Sequence, residues 1–465
     1  MDAYKIQISQ NSFKIIIGMI FLLIFQIIEI KNLYYDIGCL ALYVYTLYSV
    51  YKLKPSLIIK YMYFILGSTW SVIAVFLLEN MAVVVADDYA FRHGSFCLFS
   101  LSWVVYYLTI IFLENNRTKT TTINSQEILD KYINTVRIIV LIGILVELFI
   151  FIPICNKPFS LYALDRADYA QNVLPEWLYG HIGSLVVFIP LSLMIWKNDR
   201  YLSRIFLFMF FLINIWIGEK FTGIFLGIYY ILYSYSAFFG IDKEKIKYIL
   251  GKTIVICLVL LVLVYFQMTV IGGRDFVYYF VERISAQGYL WWLTYANDVS
   301  NGFHFNEIFD EIEPFYAKLS GDLYDYNFGI YKLMKMYQDP IRVKSMLEYG
   351  FRGTESTRAT FYYYGKLPGL IIGQIILAVF TYSITTNCIK FIQKYDIVRT
   401  ILSIYILRIF MAVFSMSDFY LLSKPFVLIS FLGLLIFNKK ILVKQKLPFL
   451  CNNKFLNKVD FRGKQ

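Results

Sequence analysis

The chain has 465 residues, of which 59% are hydrophobic and only 16% are charged, and its mean hydropathy is +0.60. Soluble globular domains contain roughly 25% charged residues. This composition therefore excludes an ordinary soluble protein and predicts an all-α polytopic membrane protein. The net charge of +12 arises at the ends of apolar runs and in the tail 438–465, where Lys and Arg act as topology signals and contact anionic lipids. We therefore expect membrane lipids, and no nucleic acid, as partners of the basic residues.

Motifs for common cofactors and metals are missing from the sequence. Five of the six cysteines lie in or beside apolar runs and the sixth lies in the tail, which is typical neither of a disulfide framework nor of a zinc site. No Walker loop, dinucleotide fingerprint or HExxH motif occurs. We therefore expect no cofactor and no metal, and ATP-driven transport, nicotinamide chemistry and zinc proteolysis lack motif support.

Apolar runs recur along the whole chain, and a helix needs about 20 apolar residues to cross a bilayer. We predict about twelve spans, near residues 13–30, 34–51, 61–78, 95–113, 136–155, 180–196, 205–217, 222–239, 253–271, 367–386, 400–417 and 421–437. Lys and Arg concentrate in alternate loops, which predicts that both termini are cytoplasmic. This topology depends on a hairpin within 204–240, because one continuous helix there would move every later loop to the other side.

One long polar segment, 272–365, separates two predicted spans within what is otherwise a single integral membrane domain, 1–465. The alternation of basic loops places this insert on the side opposite the cytoplasm. Transport alone seldom needs such an insert. Chemistry or recognition at the membrane face therefore explains it more directly.

The start of the insert predicts a helix over 274–292, because it contains no proline and Tyr279, Arg283 and Gln287 recur every four residues. Such a face, close to the bilayer surface, can hold a lipid-linked pyrophosphate, since a guanidinium pairs with phosphate oxygens through a fixed fork of donors. The alternative is that Arg274 and Arg283 are interface anchors or pair with acidic neighbours.

The end of the insert carries the candidate catalytic groups. Arg352, Glu355 and Arg358 lie around a predicted turn that leads into the next span. Glu355 can act as a general base while the arginines balance leaving-group charge, or it is simply a carboxylate favoured by a helix N-terminus. His304, the only histidine of the insert, is either a second candidate base or an incidental loop residue.

Charged residues within the apolar runs are a further signal. Glu147 and Arg408 each lie near the middle of a predicted span, where a lone charge costs about 2.5–3.5 kcal/mol on insertion scales. Either the two are mutual partners, or Arg408 reaches a substrate phosphate. Lys220 lies at the tip of the predicted hairpin and faces the same side as the insert, where it either binds phosphate or pairs with Glu219.

These features together resemble bacterial oligosaccharide repeat-unit polymerases of the O-antigen polymerase (Wzy) type. The resemblance rests on about twelve spans, cytoplasmic termini and a large external loop late in the chain. It also rests on four short motifs, which are I-G-E-K-F-T-G-I-F-L-G at 217–227, G-G-R-D at 272–275, E-R-I-S-A-Q-G at 282–288 and T-E-S-T-R-A-T-F-Y-Y-Y-G-K-L-P-G-L-I at 354–371.

The resemblance implies a GT-C-like glycosyltransferase architecture in the bacterial inner membrane. It implies transfer of a growing glycan from undecaprenyl pyrophosphate to a new lipid-linked repeat at the periplasmic face, with a chain-length regulator and a flippase of the same pathway as partners. The implied site consists of Arg274, Arg283, Arg358, Arg352, Lys220 and Arg408 as pyrophosphate ligands, Glu355 or His304 as the base, and Tyr279, Gln287 and Tyr289 as sugar ligands.

Two other classes of protein remain open. A flippase or exporter of lipid-linked sugars would also be a basic helix bundle, but it predicts related halves, which the sequence does not show, and no long insert. Another transferase that uses polyprenyl-phosphate sugars predicts an essential acidic pair in an early external loop, for which Asp87 and Asp88 are the candidates.

Overall fold

The structure, a computed structural model, is helical throughout the elements that it describes. It describes residues 2–27, 33–80, 94–117, 126–158, 182–218, 222–240, 275–298, 302–316, 323–348, 356–417 and 419–434, with isolated positions at 169, 173–174 and between 244 and 269. No β-strand occurs within these ranges. The all-α prediction is confirmed for them, and helices suit a bilayer because they satisfy their backbone groups internally.

The described helices are named here in chain order. In chain order the α-helices are α1 (Asp2–Ile27), α2 (Leu33–Leu53), α3 (Ser56–Lys60), α4 (Met62–Asn80), α5 (Ser95–Asn115), α6 (Gln126–Phe151), α7 (Ile189–Met194), α8 (Arg200–Trp216), α9 (Thr222–Phe239), α10 (Phe276–Ser285), α11 (Tyr289–Asp298), α12 (Glu313–Tyr316), α13 (Gly329–Tyr337), α14 (Pro340–Glu348), α15 (Ser356–Gln393), α16 (Ile397–Met416) and α17 (Pro425–Leu434). The 3₁₀ helices are η1 (Ile152–Ile154), η2 (Ile182–Phe188), η3 (Phe305–Ile312), η4 (Leu323–Asp325) and η5 (Phe419–Ser423).

Among the described residues, five helices are long and apolar enough to cross a membrane. They are α4, α5, the segment Tyr132–Ile154, α15 and α16. Shorter apolar helices occupy Gln10–Gln26, Gly183–Met194, Gly223–Phe239 and Pro425–Leu434. Their length and composition indicate a helical membrane protein. The predicted span 253–271 is described only at isolated positions, and the tail 438–465 lies outside the described residues.

Helix α5 lies at the centre of the bundle. It packs against α2, α4 and α15, and 78% of the residues in its most apolar 18-residue stretch are buried. The ring of Trp103 stacks on Tyr107 at 5.9 Å, and the hydroxyl of Tyr106 donates to Thr381 Oγ1 at 2.9 Å. Aromatic side chains thus join α5 to α15, which is the helix that carries the candidate site at its N-terminal end.

Helix α15 is bent near its start. Lys366 has a left-handed backbone with φ of 49°, and Pro368 follows two residues later. Because proline has no N–H, the carbonyl of Tyr364 loses its partner within the helix. That carbonyl instead accepts a hydrogen bond from the backbone N–H of His304 at 3.1 Å. The bend therefore frees a main-chain group that anchors the insert to α15.

The described part of the insert is folded onto the bundle. Helices α10 and α11 pack against α4, and α11, α13 and η3 pack against α15. Trp291 is fully buried, and its ring nitrogen donates to the carbonyl of Ser95 at 3.3 Å. The described part of the insert is therefore packed directly against the apolar helices α4, α5 and α15.

The single helix predicted over 274–292 is wrong, because α10 ends at Ser285 and α11 begins at Tyr289. Gly288 lies in the break. A Cβ atom on Gly288 would lie 2.6 Å from Val75 Cγ2 and 3.1 Å from the backbone nitrogen of Val75. This close approach to α4 needs a glycine in the turn, and Gln287 therefore lies in the turn and does not extend the helix face of Arg283.

Candidate functional site

The structure leaves some of the predicted site residues undescribed. Outside the described residues are Arg274, Lys220, Arg352, Glu355, the acidic pair Asp87 and Asp88, and the side chain of Tyr279. Their roles stay predictions.

The described residues at the start of the insert have different surroundings. Arg283 is exposed in the last turn of α10. Tyr289 is buried at the start of α11, where it packs with Leu78, Trp292 and Leu293. Its ring therefore belongs to the contact between the insert and α4 and is not open to a sugar in this structure.

Arg358, predicted as a pyrophosphate ligand, is fully buried between α5 and α16. Its guanidinium carbon lies 3.6 Å from the centre of the Trp103 ring and 4.4 Å from that of Phe414, and Nη1 donates to the carbonyl of Phe414 at 3.3 Å. These contacts are cation–π and hydrogen-bonding contacts within the bundle. A phosphate can reach Arg358 only after the surrounding helices move.

Arg408 and Glu147 are not mutual partners, so that interpretation of the two intramembrane charges is wrong. Nη1 of Arg408 donates to Ser184 Oγ at 2.7 Å, and the guanidinium lies against Gly183 in η2. Glu147 is fully buried in α6, and its two carboxylate oxygens have no hydrogen-bond partner among the described residues. Helix η2 thus contacts the Arg408 guanidinium.

His304 is held between two carboxylates and an aromatic ring. Its imidazole stacks on Tyr363 at 4.2 Å with an angle of 4° between the rings. Nε2 lies 3.1 Å from Asp298 Oδ1, and Nδ1 lies 3.3 Å from Glu307 Oε1. Because a neutral imidazole has one N–H, it donates to one carboxylate at a time. A substrate hydroxyl must displace one of these carboxylates to reach a ring nitrogen.

Glu307 stands at the centre of an ion-pair network. Lys332 of α13 contacts Glu307 Oε2 and Asp310 Oδ2, each at 2.6 Å. The hydroxyl of Tyr363 donates to Glu307 Oε2 at 2.6 Å. These contacts join η3, α13 and α15, and they fix the Glu307 carboxylate beside the His304 ring.

Glu311 lies one helical turn after Glu307 and has different partners. Its Oε1 accepts from the backbone N–H of Gly329 and from the hydroxyl of Tyr364, both at 2.6 Å. Gly329 has φ of +50°, and a Cβ atom there would lie 2.8 Å from the carbonyl of Ser417. Glycine at position 329 therefore allows the backbone to approach both the Ser417 carbonyl and the Glu311 carboxylate. Oε2 of Glu311 is buried with no hydrogen-bond partner in the described part of the chain.

The two glutamates differ in acidity for clear physical reasons. Burial tends to raise the pKa of Glu307, but hydrogen bonds from Lys332 and Tyr363 prevail and lower it to about 2. The deeper burial of Glu311 raises its pKa, although Tyr364 and Gly329 oppose the shift. At neutral pH Glu307 is therefore ionised, while Glu311 holds its proton more strongly than an ordinary carboxyl group does.

Asp298, at the end of α11, is fully buried and forms an ion pair with Lys366. The Lys366 ammonium also donates to the main-chain carbonyl of Asp298 at 2.6 Å. A buried carboxylate is costly unless it is paired. The bend of α15, where Lys366 lies, therefore supplies the counter-ion for one of the two carboxylates around His304.

We call this group of residues the junction cluster, because it joins the insert to the start of α15. Its members are Asp298, His304, Glu307, Asp310, Glu311, Lys332, Tyr363, Tyr364 and Lys366. Four carboxyl groups face two lysines, so the junction cluster suits hydroxyl groups and proton transfer better than it suits phosphate. Within the described ranges, no group of three or more His, Cys, Asp or Glu side chains is placed to hold a metal ion.

Only His304 of the junction cluster is a site residue predicted from the sequence, although the motif 354–371 contains Tyr363, Tyr364 and Lys366. Glu307 and Glu311 of η3 lie more than fifty residues before their partners Tyr363 and Tyr364. No local sequence pattern predicts a contact over this distance along the chain. One signal was available, namely the apolar and acidic residues of 305–316, which alternate at helical spacing and place Glu307 and Glu311 on one side.

Comparison with known proteins adds a family without an assigned function. A model of a family of unknown function, DUF6418, matches residues 324–432. This range includes Gly329, Lys332, Tyr363, Tyr364 and Lys366, and it ends before the tail. No curated protein and no solved structure matches the chain.

Proposed function

We propose that the chain is a membrane glycosyltransferase of the repeat-unit polymerase type, which transfers a growing glycan from a polyprenyl pyrophosphate to a second lipid-linked oligosaccharide. The observation that carries the proposal is the pair Glu307 and Glu311 of η3, which accept hydrogen bonds from Tyr363 and Tyr364 near the start of α15. Burial raises the pKa of Glu311, whereas hydrogen bonds from Lys332 and Tyr363 lower that of Glu307. Of two carboxyl groups with separated pKa values, the one with the raised pKa is the stronger base once it is ionised, and the other stays charged at neutral pH.

The reaction requires one proton transfer and one bond exchange. The acceptor hydroxyl oxygen attacks the anomeric carbon of the donor sugar, and the bond from that carbon to the pyrophosphate oxygen breaks. Lipid pyrophosphate leaves with the bonding electron pair, and ionised Glu311 takes the hydroxyl proton. Ionised Glu307 and the His304 ring beside it position the acceptor sugar. Glu311 Oε2 is buried in this structure, so the acceptor must part the side chains that cover it.

The leaving pyrophosphate needs cations that the junction cluster does not provide. The proposal assigns this role to Arg283, which is exposed on α10, and to Arg274, Lys220 and Arg352 as predicted from the sequence. Arg358 and Arg408 are left out of the proposed site because they contact Trp103 and Ser184 within the bundle. The proposed protein has about twelve spans in a GT-C-like arrangement, with both termini in the cytoplasm, and it lies in the inner membrane.

Deletion of the gene followed by electrophoresis of the cell-surface glycan separates the candidate functions. If the gene encodes a polymerase, the deletion strain should make cores that carry a single repeat. If it encodes a flippase or exporter, the deletion strain should make cores with no repeat. Complementation with Glu311→Gln should give the deletion pattern with a normal amount of membrane protein. Glu313→Gln is the matched control and should restore long chains, because Glu313 lies in the same segment, while the Tyr364 hydroxyl and the Gly329 N–H donate to Glu311. Long chains with Glu311→Gln would refute the base assignment.

A further inference from the structure

Residues 305–316, which form η3 and α12, have two chemically different sides. One side carries Glu307, Asp310 and Glu311 and faces the rest of the junction cluster. The other side carries large apolar side chains that are about half exposed: Phe305 53%, Ile308 47%, Phe309 67%, Ile312 49% and Phe315 49%. Several large apolar side chains this exposed within one short segment of a folded protein mark a contact with an apolar partner.

The position of this segment within the fold identifies the partner. The ring of Phe305 lies against Gly365, where an added Cβ would be 3.3 Å from Phe305 Cε1, directly before the bend of α15. The segment also packs against η5, which follows the end of α16. The start of α15 meets the end of α16, since Thr357 Oγ1 donates to the carbonyl of Val413 at 2.8 Å. Two candidate spans therefore end beside the segment, on the same side of the bundle.

The apolar side of the segment also continues a surface that suits lipid. Beyond the bend, α15 exposes Ile372 (59%), Ile376 (47%) and Phe380 (52%), as expected of a span that faces acyl chains. Lipid on α15 would reach the level of Gly365 and Phe305. A helix with charged groups on one side and Phe and Ile on the other is the type that lies in the plane of the membrane interface.

We propose that residues 305–316 form an interfacial helix whose apolar side is covered by acyl chains of the bilayer leaflet on the side of the insert. The helix lies parallel to the membrane plane and holds the junction cluster at the depth of the lipid head groups. A lipid-linked molecule presents its polar part at this depth. The inference depends on the exposed apolar side and on the neighbouring candidate spans, and it stands whether or not the chain is a transferase.

Collision measurements on nitroxide labels test the depth of the helix directly. Phe309→p-acetylphenylalanine, coupled to a nitroxide, leaves the native cysteines unchanged, and the purified chain is placed in nanodiscs of phosphatidylcholine and phosphatidylglycerol. Two matched positions provide references: Phe380, 52% exposed on α15, for lipid, and Ile341, 82% exposed on α14, for water. Ile312 is labelled in the same way as a second test position.

The inference predicts that oxygen collides with the labels at positions 309 and 312 more often than a nickel chelate does, as at position 380. The ratio of the two collision rates at these positions should exceed that at position 341 several-fold. Nickel accessibility at 309 and 312 equal to that at 341, with 380 still lipid-like, would overturn the inference. Protection from both reagents together with dipolar broadening would also overturn it, because it would show that a second copy of the chain covers this side.

Discussion

At the scale of single residues, two neighbouring tyrosines of α15 each lower the pKa of one of the two glutamates. Tyr364 donates to Glu311, whereas Tyr363 donates to Glu307. The chain therefore offers a pair of neighbouring variants, each of which removes one hydroxyl and leaves the ring in place. Such a pair distinguishes a change in one carboxyl group from a general loss of packing.

Tyr364→Phe should move the acidic limb of the pH–activity profile to higher pH by about one to two units, since a hydrogen bond to a charged group contributes about 1.5–3 kcal/mol. The hydrogen bond from Tyr364 lowers the pKa of Glu311, so its removal raises that pKa further. Ionised Glu311 then appears only at higher pH. The rate of glycan elongation, measured from about pH 5 to about pH 9, reports the shift. Tyr363→Phe should leave the limb in place, and equal profiles for all three proteins would contradict the role of Glu311.

Glu307 should make the stability of the protein depend on acid. Its pKa falls from 4.5 to about 2 in the folded protein, so its stabilising contribution is complete above pH 4.5 and is lost as the pH falls toward 2. The midpoint of thermal unfolding in detergent should therefore be higher for the parent than for Glu307→Gln at pH 6, and the difference should shrink below pH 4.5. A difference that stays constant with pH would show that Glu307 does not contribute through its charge.

At the scale of elements, the sequence predicted the helical nature of the insert but not where its helices break. The four-residue spacing of Tyr279, Arg283 and Gln287 favoured one helix. The break at Gly288 depends instead on the backbone of Val75 in α4, more than two hundred residues away. The site shows the same limit. His304 is predictable as a candidate because it is the only histidine of the insert. The partners of Glu311 depend instead on the tertiary contact between η3 and α15.

Gly288→Ala should destabilise the contact between the insert and α4. The added Cβ would meet Val75 at 2.6 Å, and overpacking of this kind costs about 1–3 kcal/mol. We expect the thermal midpoint in detergent to fall by several degrees. Gly302→Ala is the matched control, because no atom lies within 4 Å of its added Cβ. An unchanged midpoint for Gly288→Ala would mean that α4 and the insert are not packed together.

At the scale of the whole molecule, the sequence predicted an all-α membrane protein, and the described helices agree. Hydropathy reports only the length and apolar character of each segment. In the part of the chain that the structure describes, five helices meet both requirements of a candidate span, while several other predicted spans form shorter helices. The number of crossings also depends on how short helices such as η2 and α7 join, and composition alone does not determine this. About twelve spans and the sidedness of the insert therefore stay predictions.

Labelling of two equally exposed positions tests the predicted sidedness. Ile341 lies in the insert and Tyr201 lies in a predicted cytoplasmic loop, with exposures of 82% and 80%. In spheroplasts, Ile341→Cys should react with a membrane-impermeant maleimide, whereas Tyr201→Cys should react only after permeabilisation. Reaction of the parent protein is subtracted because it has its own cysteines. The opposite pattern would place the insert in the cytoplasm.

Reconstitution of the purified protein with a polyprenyl-pyrophosphate-linked oligosaccharide measures the proposed glycan transfer itself. The transferase proposal predicts that the parent protein alone converts single repeats into longer lipid-linked glycans, which mass spectrometry detects. Glu311→Gln should slow this conversion by about 10²- to 10⁴-fold, which is the usual contribution of a general base, while Glu313→Gln should retain it. Failure of the parent to elongate the glycan, or full activity of Glu311→Gln, would contradict the account.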